Sequence, residues 1–182
     1  MPTIFTHALL PLIGAAALPQ LRLSKRLVAA GMAAAVIPDL DVLTGRLFQI
    51  PHTHDFGHRG ASHTLLFALL LASVAMLRAG ALRAPPLTAF LFLALATVSH
   101  SLADMLTQGG KGIMILWPLE DARFKFLLHP IEASPVGMKA FETGVIWQVL
   151  LSETLWLLLP AALVAFFTRL AIKSAAPRSV AD

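Results

Sequence analysis

Three short stretches of the chain gather its metal-ligating side chains: Pro38-Asp39-Leu40-Asp41, His58-Arg59-Gly60-Ala61-Ser62-His63 and Ser99-His100-Ser101-Leu102-Ala103-Asp104. Imidazole and carboxylate together suit zinc or a similar divalent ion. His100 and Asp104 stand four residues apart near the end of an apolar helix. That spacing puts them on one face, about 5–6 Å apart at Cβ, where one ion can bridge them. The same spacing equally serves a buried His–Asp hydrogen bond, because buried polar groups must be paired. In the second stretch Ser62 is placed to cap the following helix, with His63 in its first turn and His58 in the loop before it. Gly60 permits close backbone approach. Arg59 offers a planar fork for an anionic group, phosphate or carboxylate.

Asp39 and Asp41 follow the helix breaker Pro38. Alternate carboxylates there can share one metal, or divide into a ligand and a base that orients water. His7 lies in the first helix and joins the candidate ligands only if it reaches the same end. His52 and His54 read as solvated, and His129 sits before Pro130 in a long loop. Glu142, at the start of the last apolar segment, is placed to reach a metal. Glu153 lies inside that segment beside no cation, so it is a functional candidate by default. Trp117, Trp147 and Trp156 read as interface anchors or packing.

The elements that must hold these groups are apolar. The 182 residues are 57% hydrophobic and 13% charged, against about 25% charged in soluble domains, and mean hydropathy is +0.76. There is no cysteine, which excludes disulfides and thiolate metal sites. The basic residues are scattered at segment ends and form no clustered face, so nucleic acid is not an expected partner. No basic residue precedes the first apolar run, and Pro11 and Pro19 interrupt it. A cleaved signal peptide is therefore not expected.

Five apolar stretches stand out: Ile4 to Leu18, Leu27 to Ile37, Thr64 to Leu77, Pro86 to Leu106 and Gly144 to Leu170. A full crossing takes about 20 apolar residues. The last two qualify, the third only with its flanks, and the first two are marginal. Pro38, Pro51, Pro85-Pro86, Pro118, Pro130 and Pro135 punctuate the runs, Gly109-Gly110 closes the fourth, and Pro160 should kink the fifth. The expected architecture is all-α: a membrane-embedded bundle of four to five apolar helices with a polar metal site at one end. It forms one domain over residues 1–173, with 174–182 a flexible tail.

If all five segments cross, one side holds Arg22, Lys25, Arg26, Arg78, Arg83, Arg169, Lys173 and Arg178, and the other Arg46, Arg59, Lys111, Arg123, Lys125 and Lys139. The more basic side is expected to face the cytoplasm. His7, Asp39, Asp41, His58, His63, His100 and Asp104 then share the opposite, extracytoplasmic end.

At these same motifs the chain resembles a known family, the bacterial membrane-bound metal-dependent hydrolases. The resemblance rests on Pro38-Asp39-Leu40-Asp41, on Phe56-Gly57-His58-Arg59-Gly60-Ala61-Ser62-His63, on Ser99-His100-Ser101-Leu102-Ala103-Asp104-Met105-Leu106-Thr107 and on Ile115-Leu116-Trp117-Pro118. It spans roughly residues 1 to 145, with Ser62 where the family usually has Thr. The family includes inner-membrane proteins induced in the DNA-damage response. It is in turn similar to zinc phospholipases C and single-strand-specific zinc nucleases, which cleave phosphodiesters. Their His-x-x-x-Asp pair would be His100 and Asp104. Their upstream ligands would be Asp39 or Asp41, His58 and the early His7, while their later ligands find no clear counterpart here.

The expectation is therefore a multi-pass inner-membrane hydrolase that uses a divalent metal, zinc in kind, on a small-molecule or lipid phosphoester. Its ligands are drawn from His7, Asp39, Asp41, His58, His63, His100 and Asp104. Asp39 or Asp41 orients the water, and Arg59 neutralises the substrate. The rival is a non-enzymatic metal-binding or transport protein, whose site belongs near the bilayer midplane. A second rival is a structural membrane protein whose polar ends only hydrogen-bond.

Overall fold

Capping residues set where the helices begin. The computed structural model describes residues 1–134 and 144–175. Thr3 and Ser24 each accept a hydrogen bond from the backbone N–H three residues on, opening α1 (Ile4–Ala17) and α2 (Lys25–Ala34). Pro38 then forces a 3-10 turn, Ile37–Leu40, which leads into the short α3 (Asp41–Leu47). Thr64 caps α4 (Leu65–Leu77) by accepting from Phe67 N, and a four-residue helix, α5 (Ala79–Leu82), follows. Pro86 occupies the first position of α6 (Pro86–Met105), where its missing N–H costs nothing. The last helix runs from Ile146 to Ala175 as α7 (Ile146–Glu153), a π-turn (Thr154–Leu158) and α8 (Leu159–Ala175).

One expectation changes here. The cap of α4 is Thr64, not Ser62, because residues 61–63 form a 3-10 turn of their own ahead of the helix. Pro160 lies just after the π-turn, within a helix that runs from Ile146 to Ala175.

Packing follows residue size. α4 lies along α6 through Ala68, Ala72 and Ala75 on one side and Ala89, Leu93 and Ala96 on the other. Small residues let helix backbones approach where burial of bulk gains little. α2 packs on the same helix, and a Cβ at Gly31 would strike the Phe92 ring. α1 touches α2, α6 and α8. Outside this core the surface is apolar: Leu77, Leu95, Val164, Phe166 and Phe167 are all exposed. That is the surface expected of a chain solvated by lipid.

Two helices, Pro86–Met105 and Ile146–Ala175, are long and apolar enough to cross a membrane. A third qualifies only if α2 and the Ile37–Leu47 segment, bent by 43°, count as one broken span. α1 and α4 are shorter, as their sequence lengths predict. Among the described residues there are no strands. Two isolated bridges, Thr107 with Ile131 and Ile113 with Phe124, tie the connection after α6 into a cover over one end of the bundle. Ile113, Met114 and Ile131 are buried beneath it, and Leu65 N and Met114 N bond to the Ile115 and Arg59 carbonyls.

Candidate metal centre

Four elements meet under that cover, and each delivers an ionisable side chain. α1 brings His7, the 3-10 turn after α2 brings Asp39, the turn before α4 brings His63, and α6 brings His100 and Asp104. His7, His63, His100 and Asp104 are completely buried, and Asp39 nearly so. One ligand atom each from Asp39, His63, His100 and Asp104 lies within 4.8 Å of all the others. His100 Nε2 is 3.0 Å from His63 Nε2 and 3.6 Å from Asp39 Oδ1. His63 Nε2 is 3.7 Å from both Asp39 Oδ1 and Asp104 Oδ2. His7 stacks on His100, ring centroids 3.8 Å apart, with its Nε2 3.6 Å from Asp104 Oδ1 and 4.0 Å from Asp39 Oδ2.

The hydrogen-bond pattern separates the donors that face this space from those that frame it. His100 Nδ1 donates to the Ala35 carbonyl at 2.8 Å, which leaves Nε2 as the free, unprotonated nitrogen. Both nitrogens of His7 and both oxygens of Asp39 and of Asp104 are buried without a hydrogen-bond partner. Asp104 Oδ2 faces Arg59 Nε, and the carboxylate oxygens left over are costly to bury unless a further cation meets them. The donor set, two or three imidazoles and two carboxylates, fits a divalent ion such as zinc.

Asp41 and His58 stand differently. With His63 they form a second group of potential ligands, but their atoms are already paired. Asp41 accepts from Arg59 N at 3.1 Å and from Ser62 Oγ at 2.8 Å, and meets His58 Nδ1 at 2.8 Å. His63 Nδ1 lies 2.9 Å from Ser62 Oγ and 3.3 Å from Asp41 Oδ2. Burial opposes charge on His63, but the carboxylates of Asp39, Asp41 and Asp104 around it outweigh that and raise its pKa from 6.5 to about 9.

Arg59 is buried and holds a left-handed backbone conformation, φ +65°. Its Nη1 donates to the Gly109 carbonyl and its Nη2 to Thr107 Oγ1, both at 2.8 Å. Its Nε approaches Asp104 Oδ2 at 3.0 Å as an ion pair, without the alignment of a hydrogen bond. The guanidinium thus packs behind a candidate ligand, inside the protein.

Of the remaining candidates, Glu153 is fully buried and joins no group of potential metal ligands among the described residues. It accepts from Thr3 N (2.6 Å), Thr3 Oγ1 (2.7 Å) and Thr6 Oγ1 (2.5 Å), at the first turn of the helix that carries His7. His52 is exposed and edge-on to the His58 ring, and His54 accepts from Phe56 N in its own turn. His129 has a buried, unpartnered Nε2 but joins no ligand group among the described residues. Glu142 lies outside the described residues.

Sequence reasoning gave no role to Arg123. Its guanidinium faces the carbonyls of His52, His54, His58, Arg59 and Gly112 at 3.3–3.5 Å and clips the loop in place. Nor did it identify the Ala35 carbonyl that orients His100. Neither has a motif, since one is a backbone atom and the other lies 64 residues from the arginine it helps fix.

Comparison with known proteins gives a family and a location. A family model described as YdjM inner membrane protein matches residues 1–176. The chain is 37% identical over 170 residues to inner membrane protein YbcI of Escherichia coli K12, covering 90% of this chain and 95% of that protein. It is 34% identical over 108 residues to inner membrane protein YdjM of the same organism, covering 56% of this chain and 53% of that one. No solved structure matches. These names state a location and no activity.

Proposed function

The chain belongs to the YdjM inner membrane protein family, and in that setting we propose that it is a metal-dependent hydrolase whose buried His–Asp centre cleaves a phosphoester at the membrane. The observation that carries this is the convergence of atoms without hydrogen-bond partners, from His7, Asp39 and Asp104, on the Nε2 atoms of His63 and His100. His63, His100, Asp39 and Asp104 would hold the ion, with His7 completing the set. A divalent ion such as zinc, when bound, supplies a water whose pKa falls to about 7. Asp39 turns Oδ1 toward His63 and His100 and Oδ2 toward His7, so Oδ1 would ligate the ion and Oδ2 would be the oxygen left to accept a proton. Asp41 and Ser62 orient His63 through its Nδ1. Arg59 holds Asp104 in place.

The resemblance to membrane-bound metal-dependent hydrolases supports the reaction class, and the position of His100 and Asp104 in the last turns of α6 supports a substrate at the membrane surface. Membrane lipid is the partner this position favours, in a multi-pass arrangement with the site on the extracytoplasmic side. The alternative, a non-enzymatic metal-binding or transport protein, draws on the complete burial of the ligand set. Its disadvantage is depth, because transport sites lie near the midplane. The discriminating experiment measures metal content of the purified protein together with turnover of a panel of phosphodiesters and phospholipids. Bound metal with hydrolysis lost in His100→Ala supports the hydrolase. Bound metal with no turnover on any ester supports the alternative.

A further inference from the structure

A cavity of about 190 Å³ opens beside the metal cluster, between α3 and the loop that carries His52 and His58. Two of its walls, Asp41 and His58, belong also to the second group of potential ligands, so whatever enters the cavity stands next to the centre. His58 reaches it with Nδ1 donating to Asp41, so the Nε2 of the neutral ring faces a guest as an acceptor. His52 packs edge-on against His58, ring centroids 5.9 Å apart. Arg46, on α3 one turn after Asp41 and Val42, lines the cavity too. It is exposed and makes no hydrogen bond or ion pair within the described residues. The one acid present, Asp41, already has its charge met by His58, Arg59 N and Ser62. Arg46 is therefore the charged group of the cavity that no described neighbour meets.

We propose that this cavity is a phosphoryl-binding subsite, in which the Arg46 guanidinium receives the anionic group of the substrate between the His52 and His58 rings. The assignment of a substrate rests on the hydrolase reading, but the binding of phosphate does not need turnover to be measured. Size supports a single headgroup: sites that engulf drug-sized ligands span roughly 300–1,000 Å³, more than this cavity holds. Arg46 is placed as the bidentate clamp that Arg59, packed inside the protein, is not. Gly45, on the same wall, leaves the cavity open, and a Cβ there meets only the Ile50 carbonyl at an ordinary 3.7 Å.

The test is inorganic phosphate binding, by calorimetry or phosphorus NMR, to the full-length zinc-loaded protein in detergent, with metal content measured in parallel. Arg46→Ala should weaken phosphate about ten- to a hundredfold, the loss that follows removal of a charge-assisted hydrogen bond, with metal retained. Arg46→Lys should recover part of it. Gly45→Leu should block binding with Arg46 still in place. Wild-type phosphate affinity in both Arg46→Ala and Gly45→Leu overturns the subsite, as does loss of metal in Arg46→Ala. Arg46-dependent phosphate binding without cleavage of any ester leaves the subsite standing and removes the hydrolase reading. Cleavage with phosphate binding indifferent to Arg46 and Gly45 does the reverse. Glycerol phosphate and phosphatidate in mixed micelles distinguish the source: tighter binding of phosphatidate identifies a lipid headgroup, and equal binding a soluble phosphoester.

Discussion

His63 Nε2 and His100 Nε2 lie 3.0 Å apart, although the two residues sit 37 positions apart on different elements. Each ring is held from behind, His100 by the Ala35 carbonyl and His63 by Ser62 and Asp41. Two imidazoles fixed nose to nose, with Asp39 Oδ1 within 3.7 Å of both, are arranged as joint ligands. We expect one zinc-class ion per chain, and His100→Ala or Asp104→Ala to lose most of it. His58→Ala should keep it, because His58 spends its Nδ1 on Asp41. Metal analysis of the three purified variants checks this. Full occupancy in His100→Ala would remove that residue from the ligand set.

Arg59 provides a second check. Its guanidinium spans Asp104, Thr107 and Gly109, which a lysine ammonium cannot do at once. Arg59→Lys should therefore weaken metal affinity about 10–100-fold, the usual cost of disturbing a group that orients a ligand. Gly110→Ala should act in the same direction. Gly110 has φ +78°, and a Cβ there would come within 2.5 Å of Arg59 Nη1. Unchanged metal affinity in both, by competition with a chelator, would separate Arg59 from the centre.

Metal affinity should also depend on pH through His63. Its pKa of about 9 means that the metal-free protein carries a proton there at neutral pH, which a ligating imidazole must release. Apparent affinity should rise about tenfold from pH 7 to pH 8 and flatten above 9. The metal-free fold should show the opposite trend. A folded pKa above the ordinary 6.5 contributes stability that is complete below that value and is lost as pH rises through about 9. Titrations of zinc affinity and of metal-free thermal stability over pH 6 to 10 read both slopes, and a flat affinity profile would rule out His63 as the proton-releasing ligand.

How much of this was legible in the chain depends on whether the signal was local. The apolar runs gave α6 and the last helix their length, and His100 with Asp104 at one helical spacing gave one face of the centre. Pro38 marked the break that delivers Asp39. What separates Asp39 from Asp41 was not legible: two residues apart, one faces the cluster unpaired and the other braces a loop. That difference comes from the 3-10 turn and from Ser62, a contact across 21 positions. Arg46 and His52 likewise read as ordinary polar residues until the fold placed them around one cavity.

The last prediction concerns Glu153, a carboxylate that sits where α7 gives way to the π-turn. It accepts three hydrogen bonds from Thr3 and Thr6, and Thr3 in turn caps α1. His7 follows Thr6 directly, so the last helix fixes the entry of α1 and with it the position of His7. Glu153→Ala leaves buried donors without an acceptor, at about 1–3 kcal/mol for each group so stranded. Glu153→Gln keeps the shape and one carbonyl oxygen, so it should cost less. Both should lower thermal stability, and Glu153→Ala should also reduce metal retention although it removes no ligand. The measurement is a melting curve with and without zinc. If Glu153→Ala lowers both melting temperatures equally and holds metal as the wild type does, Glu153 serves the helix pair alone and does not position His7.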